Sequence, residues 1–252
     1  TKEWLEASAQ FGPLVKPIIT PRFVPSCTGE LMSGLGNLAE AYNVPVQSHL
    51  SENHGEIDWV AALHPEAANY TDVYYEHHLM GKVPTVMAHC IHLSDVEMDR
   101  MAETQTMVSH CPYSNVNLSS GIAPIRKLFE RKIPIGLGSD ISGGHIVSMA
   151  KVLTEAIGLS KMKWVEVDQT YAPLTLSEAF YMATKGGGKF FGKVGSFEKG
   201  CELDALVIDD TTLFDPNERS LEERLERWLY VGDDRHIVER YVAGKVAPEP
   251  TN

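Results

Sequence analysis

Seven side chains able to do chemistry fall where apolar runs end: Arg22, Phe23, His49, Glu52, His89, His110 and Asp140. His49 and Glu52 stand three residues apart in PVQSHLSEN, residues 45–53, just after the strand-like Val44 and Val46. A histidine can ligate a metal, and a carboxylate beside it can carry a proton. If the runs are neighbouring strands, His49, His89 and Asp140 form a two-nitrogen, one-oxygen ligand set. That set suits Zn2+, or Fe2+, with positions left open for water. Glu52 is then placed to take a proton from that water and hand it to a substrate. Each residue also has a plainer reading. Glu52 can cap or solvate the following helix, and Asp140 can cap residues 141–145. His54, His64, His77, His78 and His236 are read as surface or satisfied core groups, and Cys90 and Cys111 as small apolar fillers.

The elements that must position these groups alternate along the chain. Apolar runs end at Thr20, Ser48, Ala88, Ser109 and Leu137, and each is followed by a helical pattern. Helices are expected at 1–11, 28–43, 56–63, 73–79, 95–103, 122–130, 148–159 and 175–184. Ser94 with Glu97, and Thr175 with Glu178, have capping-box spacing. Repeated βα units with continuous apolar strands imply a parallel sheet. Polar tips at the strand ends place a site at that edge of a barrel or doubly wound sheet. Gly186–Gly188 follows a helix and lacks the Lys-Ser/Thr of a phosphate loop, so it reads as a helix C-terminus. After residue 195 the pattern changes. A strand is expected at Ala205–Ile208. An amphipathic helix is expected over 217–230, with Leu221, Leu225, Trp228 and Leu229 on one face. An antiparallel hairpin is expected over 237–246.

Composition narrows the partners. The 252 residues are 43% hydrophobic and 22% charged, with a formal net charge of −12. So negative a chain repels phosphate backbones and anionic lipid, which disfavours nucleic acid and membrane surfaces. No apolar run has membrane-spanning length. Cys27, Cys90, Cys111 and Cys201 are far apart and form no C-x-x-C, which suits the reducing cytoplasm.

Longer motifs carry a resemblance. They are TPRF at 20–23, QSHLSEN at 47–53, MAHC at 87–90, SHCPYSN at 109–115, GLGSDISGG at 136–144, FEKGCELDALVI at 197–208 and YVGDDRHIVERYVAGK at 230–245. In this order they resemble the metal-dependent amidohydrolase superfamily, in its deaminase and chlorohydrolase branch. TPRF with QSHLSEN is similar to the guanine-deaminase group. The resemblance implies an α/β (β/α)8 TIM barrel, here about strands 4 to 8, over residues 1–196. Residues 197–252 would be the C-terminal part of a small β-rich domain. It implies zinc-dependent hydrolysis of guanine to xanthine and ammonia by a homodimer, Fe2+ being possible in place of Zn2+. His49, His89 and Asp140 would be the metal ligands, and Glu52 the proton shuttle. Asp140 would also accept a proton, and His89 would serve as ligand or as partner of the bound water. Arg22 and Phe23 would recognise the purine. His110 and Asn115 are assigned to supporting the rim.

One departure stands out. The superfamily carries two further ligands as H-x-H at the end of the first barrel strand, and this sequence contains no H-x-H. The chain is therefore expected to be part of a longer polypeptide, and by itself to bind zinc poorly and show no deaminase activity. Two alternatives stay open: an amidohydrolase acting on another ring (adenosine-type, cytosine or triazine), and a metal-free scaffold relative.

Overall fold

The computed structural model describes residues 1–248. They divide into two compact units: residues 1–111 with 115–135, and residues 112–114 with 136 onward.

The first unit alternates helices with parallel strands. α1 is Lys2–Ser8 and α2 is Gly29–Tyr42, capped by Thr28, whose hydroxyl accepts the Leu31 N–H. β1 (Val46–Leu50) follows, then α3 (His54–Leu63), α4 (Tyr70–Glu76) and β2 (Thr85–His89). α5 (Asp95–Thr104) starts at the expected capping box of Ser94 and Glu97. β3 (Met107–His110), α6 (Pro112–Asn117) and α7 (Ile125–Glu130) come next, and β4 (Ile135–Leu137) begins where this unit ends. β1 pairs with β2, and β2 with β3, all parallel, with His49 opposite Ala88 and Leu50 opposite His89. β1, β2 and β3 lie side by side in that order, so their C-termini share one edge.

Several expectations need correction. The run at 15–20 is not a strand. Pro17 lacks the N–H a ladder needs, and only Ile19 forms a parallel bridge, to Val46. The helix expected at 73–79 lies at Tyr70–Glu76, because Asn69 caps it by accepting the Asp72 N–H. α6 had no apolar period to reveal it. β1 turns one face to the core. In β1, Val46, Ser48 and Leu50 are buried, Gln47 is exposed and His49 is half-buried. Val46, Leu50, Met87 and Val108 join Met32, Ala39, Tyr74, Leu79, Met101 and Leu128 in the core. The other face of β1 keeps His49 accessible.

In the second unit α8 (Met149–Glu166) runs a further two turns past the expected end. α9 (Leu176–Tyr181) opens with the Thr175–Glu178 capping box and passes into a π-helical turn, Met182–Gly186, so the glycine run does sit at a helix end. β5 (Ala205–Ile208), α10 (Leu221–Val231), β6 (Ile237–Val242) and β7 (Lys245–Val246) complete it. β5, β6 and β7 form an antiparallel sheet. The β6–β7 turn uses Ala243 and Gly244, both with positive φ (48° and 75°), as the twist of a two-residue hairpin requires. Trp228 and Leu229 of α10 are buried and Leu225 is half-buried. Leu221, expected on the same face, is exposed, since it is the first residue of the helix and lies beyond the packed turns. Lys151 of α8 donates to the carbonyls of Leu229 and Tyr230 at the C-terminal end of α10.

Candidate active site

The end of β1 is held by its surroundings before any substrate is considered. Ser48, on the buried face, has its hydroxyl 2.9 Å from the Pro21 carbonyl and 2.8 Å from the Tyr74 hydroxyl. This fixes the TPRF segment against the strand. His49, on the open face, then has Nδ1 2.7 Å from the Arg22 carbonyl. A carbonyl can only accept, so Nδ1 is the donor in this contact and Nε2 is the ring nitrogen it leaves for another partner. Phe23 sits edge-on between two rings, 6.3 Å from His49 and 6.1 Å from Trp59. Arg22 is exposed, with its guanidinium carbon 6.0 Å from the Phe23 ring centre. Its backbone therefore orients His49, while its side chain remains available at the rim.

The chain reverses after β1. Ser51 has φ 49°, a left-handed conformation, and the next residue is Glu52. Glu52 does not cap α3. Asn53 does, accepting the Glu56 N–H at 2.9 Å. Glu56 in turn accepts the Glu52 N–H at 3.0 Å and the Tyr70 hydroxyl at 2.7 Å. Burial, then Tyr74 and Glu56 nearby, pushes the Tyr70 phenol up, so it stays protonated and donates. With its backbone tied this way, the Glu52 carboxylate is free to face the strand ends. One oxygen lies 3.7 Å from His89 Nε2, and the other accepts from the Ser120 hydroxyl at 2.9 Å.

His89 ends β2 in a left-handed conformation, φ 69°, followed by Cys90 at 52°. Non-glycine residues adopt this region at a cost, and such costs gather at functional sites. The His89 ring is buried and stacks on His49 at 5.5 Å with an interplanar angle of 22°. Its Nδ1 is 2.9 Å from Asn115 Oδ1. Both imidazoles thus have Nδ1 engaged by an oxygen, the usual orienting partner of a metal-ligating histidine. Asn115, read from sequence as rim support, holds the buried His89. His110, at the end of β3, is 1% exposed and its Nδ1 has no hydrogen-bond partner. Burial, with His89 second, pushes its imidazole down to about 3. A histidine so depressed does not exchange protons near neutrality.

Asp140 belongs to the second unit. It has φ 44°, and its carbonyl accepts the Gly144 N–H at 2.7 Å. This is a tight turn and not a helix start, so the capping reading of Asp140 does not hold. Gly143 packs so closely on the Asp140 carboxylate and the Ser114 hydroxyl that a Cβ there would collide with both. Among the described residues no group of three or more His, Cys, Asp or Glu side chains is gathered as a metal would need. The two oriented imidazoles and the Glu52 carboxylate fit a metal by the chemistry of their donors; a complete ligand set is not assembled among them.

Ser120 was not foreseen. It lies in the short segment 115–120, NVNLSS, and its contact spans 68 residues of sequence, which no local pattern signals. The histidine-bearing strand ends were the only available signal.

The model of the amidohydrolase family matches residues 3–247. A guanine deaminase of Dictyostelium discoideum is 43% identical over 252 residues, covering 97% of this chain and 56% of its own length. One of Mus musculus is 41% identical over 245 residues, covering 92% and 53%. The crystal structure of guanine deaminase from C. acetobutylicum with bound guanine in the active site is similar at 52% identity and a TM-score of 0.94, covering 97% of this chain and 58% of that one. The chain spans about half the length of the curated relatives it matches. The fold shared with them is of the α/β TIM-barrel type. Two oriented imidazoles and a carboxylate at the ends of parallel strands, in a chain matched almost throughout by one metal-dependent family, place this protein in the amidohydrolase family.

Proposed function

We propose that the whole protein hydrolyses guanine to xanthine and ammonia, using Zn2+ or Fe2+. The observation that carries this is the Glu52 carboxylate, 3.7 Å from Nε2 of one of two stacked, Nδ1-anchored histidines. Similarity to the guanine-bound structure supports guanine as the ring. His49, His89 and Asp140 would hold the metal, which when bound would supply the Lewis acidity that makes water a nucleophile at neutral pH. Glu52 takes the proton of the attacking water and delivers it to the departing nitrogen. Asp140 accepts a proton alongside it. The exposed Arg22 guanidinium donates to a ring carbonyl, and Phe23, braced by Trp59, lies against the base.

In this reading residues 1–196 are the barrel portion, about strands 4 to 8, and 197–252 are part of a small β domain. The antiparallel sheet β5–β7 supports the second assignment; its last four residues lie outside those described. The whole protein is a cytoplasmic homodimer with no nucleic-acid or membrane partner. No described helix is long and apolar enough to cross a membrane. The test is xanthine formation by the whole protein, with adenine, cytosine and S-adenosylhomocysteine as competing substrates. Turnover of guanine above the others is expected. Preference for another ring overturns the substrate, and a protein that neither turns over any of them nor holds metal is a scaffold.

A further inference from the structure

Glu52 has one oxygen facing His89 and the other facing Ser120. The residue opposite the catalytic partner is itself fixed at every polar atom. The Ser120 N–H donates to the Asn115 carbonyl at 2.8 Å, its hydroxyl donates to Glu52 at 2.9 Å, and its carbonyl accepts from His92 Nε2 at 2.8 Å. Ser120 is buried, and it lies between two residues of positive φ, Ser119 at 57° and Gly121 at 130°. A Cβ on Gly121 would press on Ile91 and His92, so the turn sits hard against the segment that follows β2. His92 in turn packs its ring on His54, 4.0 Å between centroids and only two residues beyond Glu52. At the other end of the same turn, Asn115 holds Nδ1 of His89. One six-residue segment, 115–120, therefore touches both the histidine and the carboxylate, and the 3.7 Å between them is too long for a hydrogen bond of their own.

We propose that Ser120 is a positioning residue: it holds one oxygen of Glu52 so that the other faces His89, and the turn carrying it registers the two through Asn115. A glutamate has three side-chain torsions, and proton transfer requires a few tenths of an ångström of placement. A hydroxyl on an anchored backbone supplies that placement without adding charge. A longer or charged donor would compete for the proton that Glu52 must move. This rests on the reading of Glu52 as the proton carrier.

The test combines kinetics with crystallography of the whole protein. Ser120→Ala is expected to lower kcat about tenfold with KM for guanine changed less than about twofold, the split expected of lost placement. Ser120→Thr, which keeps the hydroxyl, restores most of the rate. In the Glu52→Gln background, Ser120→Ala should change the residual rate less than about twofold, because both substitutions remove one function. Independent losses that multiply would overturn the role, since a merely structural serine weakens both backgrounds alike. Crystal structures of the parent and Ser120→Ala read the same point whatever the substrate. The Glu52 carboxylate should leave His89 in the variant, and an unmoved carboxylate overturns the inference. A parent that ignores guanine refutes the substrate alone, and the crystallographic comparison still decides the role of Ser120.

Discussion

His110 shows how burial alone sets what a side chain can do. Its imidazole is enclosed, its Nδ1 lacks a partner, and its pKa is pushed down to about 3 from the ordinary 6.5. Above pH 6.5 neither the folded nor the unfolded chain holds this proton, so stability there is unaffected. Between 6.5 and 3 the unfolded chain holds more protons than the folded one, so stability falls as the pH drops through that window. The slope from this residue is at most about 1.4 kcal/mol per pH unit. Urea unfolding followed from pH 7 to pH 4 should show a shallower decline for His110→Gln than for the parent; equal slopes would remove His110 from the account. The neighbouring residues differ in how legible they were. The three-residue spacing of His49 and Glu52 at a strand end was visible in sequence, because both groups belong to one local turn. That Asn53 rather than Glu52 caps α3 was not, because an asparagine and a glutamate in adjacent positions compete for the same N–H groups. Ser120 and Asn115 act on partners 68 and 26 residues away, and no local pattern encodes such a contact.

Helix α2 carries two glycines whose environments are opposite, although the sequence MSGLGN treats them alike. Gly36 lies directly against the His77 carbonyl at the end of α4, where any Cβ would overlap that oxygen. Gly34 has nothing within 4 Å and faces solvent. Gly36→Ala must force two backbones apart and is expected to cost about 1–3 kcal/mol, as overpacking does. Gly34→Ala gains the helix propensity of alanine and should stabilise by up to about 1 kcal/mol. Thermal or urea melts of the two variants should therefore move in opposite directions, and a shared direction would mean that α2 does not dock on α4 through Gly36. Elements were readable where their signals are local. The capping boxes at Ser94 and Thr175 both formed, and the hairpin at 237–246 closed on Ala243 and Gly244. The run at 15–20 builds no ladder beyond one bridge: Pro17 has no N–H to donate, and only Ile19 pairs. β1 turns only one face to the core, with Gln47 exposed and His49 half-buried.

For the molecule as a whole, the decisive quantity is how many ligands a metal finds. The described residues supply two imidazoles whose Nδ1 atoms are already committed, and no cluster of three or more candidate ligands. A protein-held catalytic zinc has three ligands, and His49, His89 and Asp140 are not gathered as such a set among the described residues. A chain of these 252 residues is therefore expected to lose zinc to a zinc-responsive dye and to form no xanthine. The whole protein should behave differently under the proposed function. A chelator should abolish xanthine formation, and added Zn2+ or Fe2+ should restore it, while Mg2+, which prefers an all-oxygen octahedron, should not. His49→Ala in the whole protein should lower metal content together with activity, because Nε2 is the atom its Arg22 contact leaves available. Glu52→Gln should keep the metal and lose the rate, because that carboxylate is assigned the proton and not the ion. Metal analysis and xanthine formation measured on the same samples separate the two. If Glu52→Gln also released the metal, its carboxylate would be a ligand, and the division of labour between His49 and Glu52 would have to be redrawn.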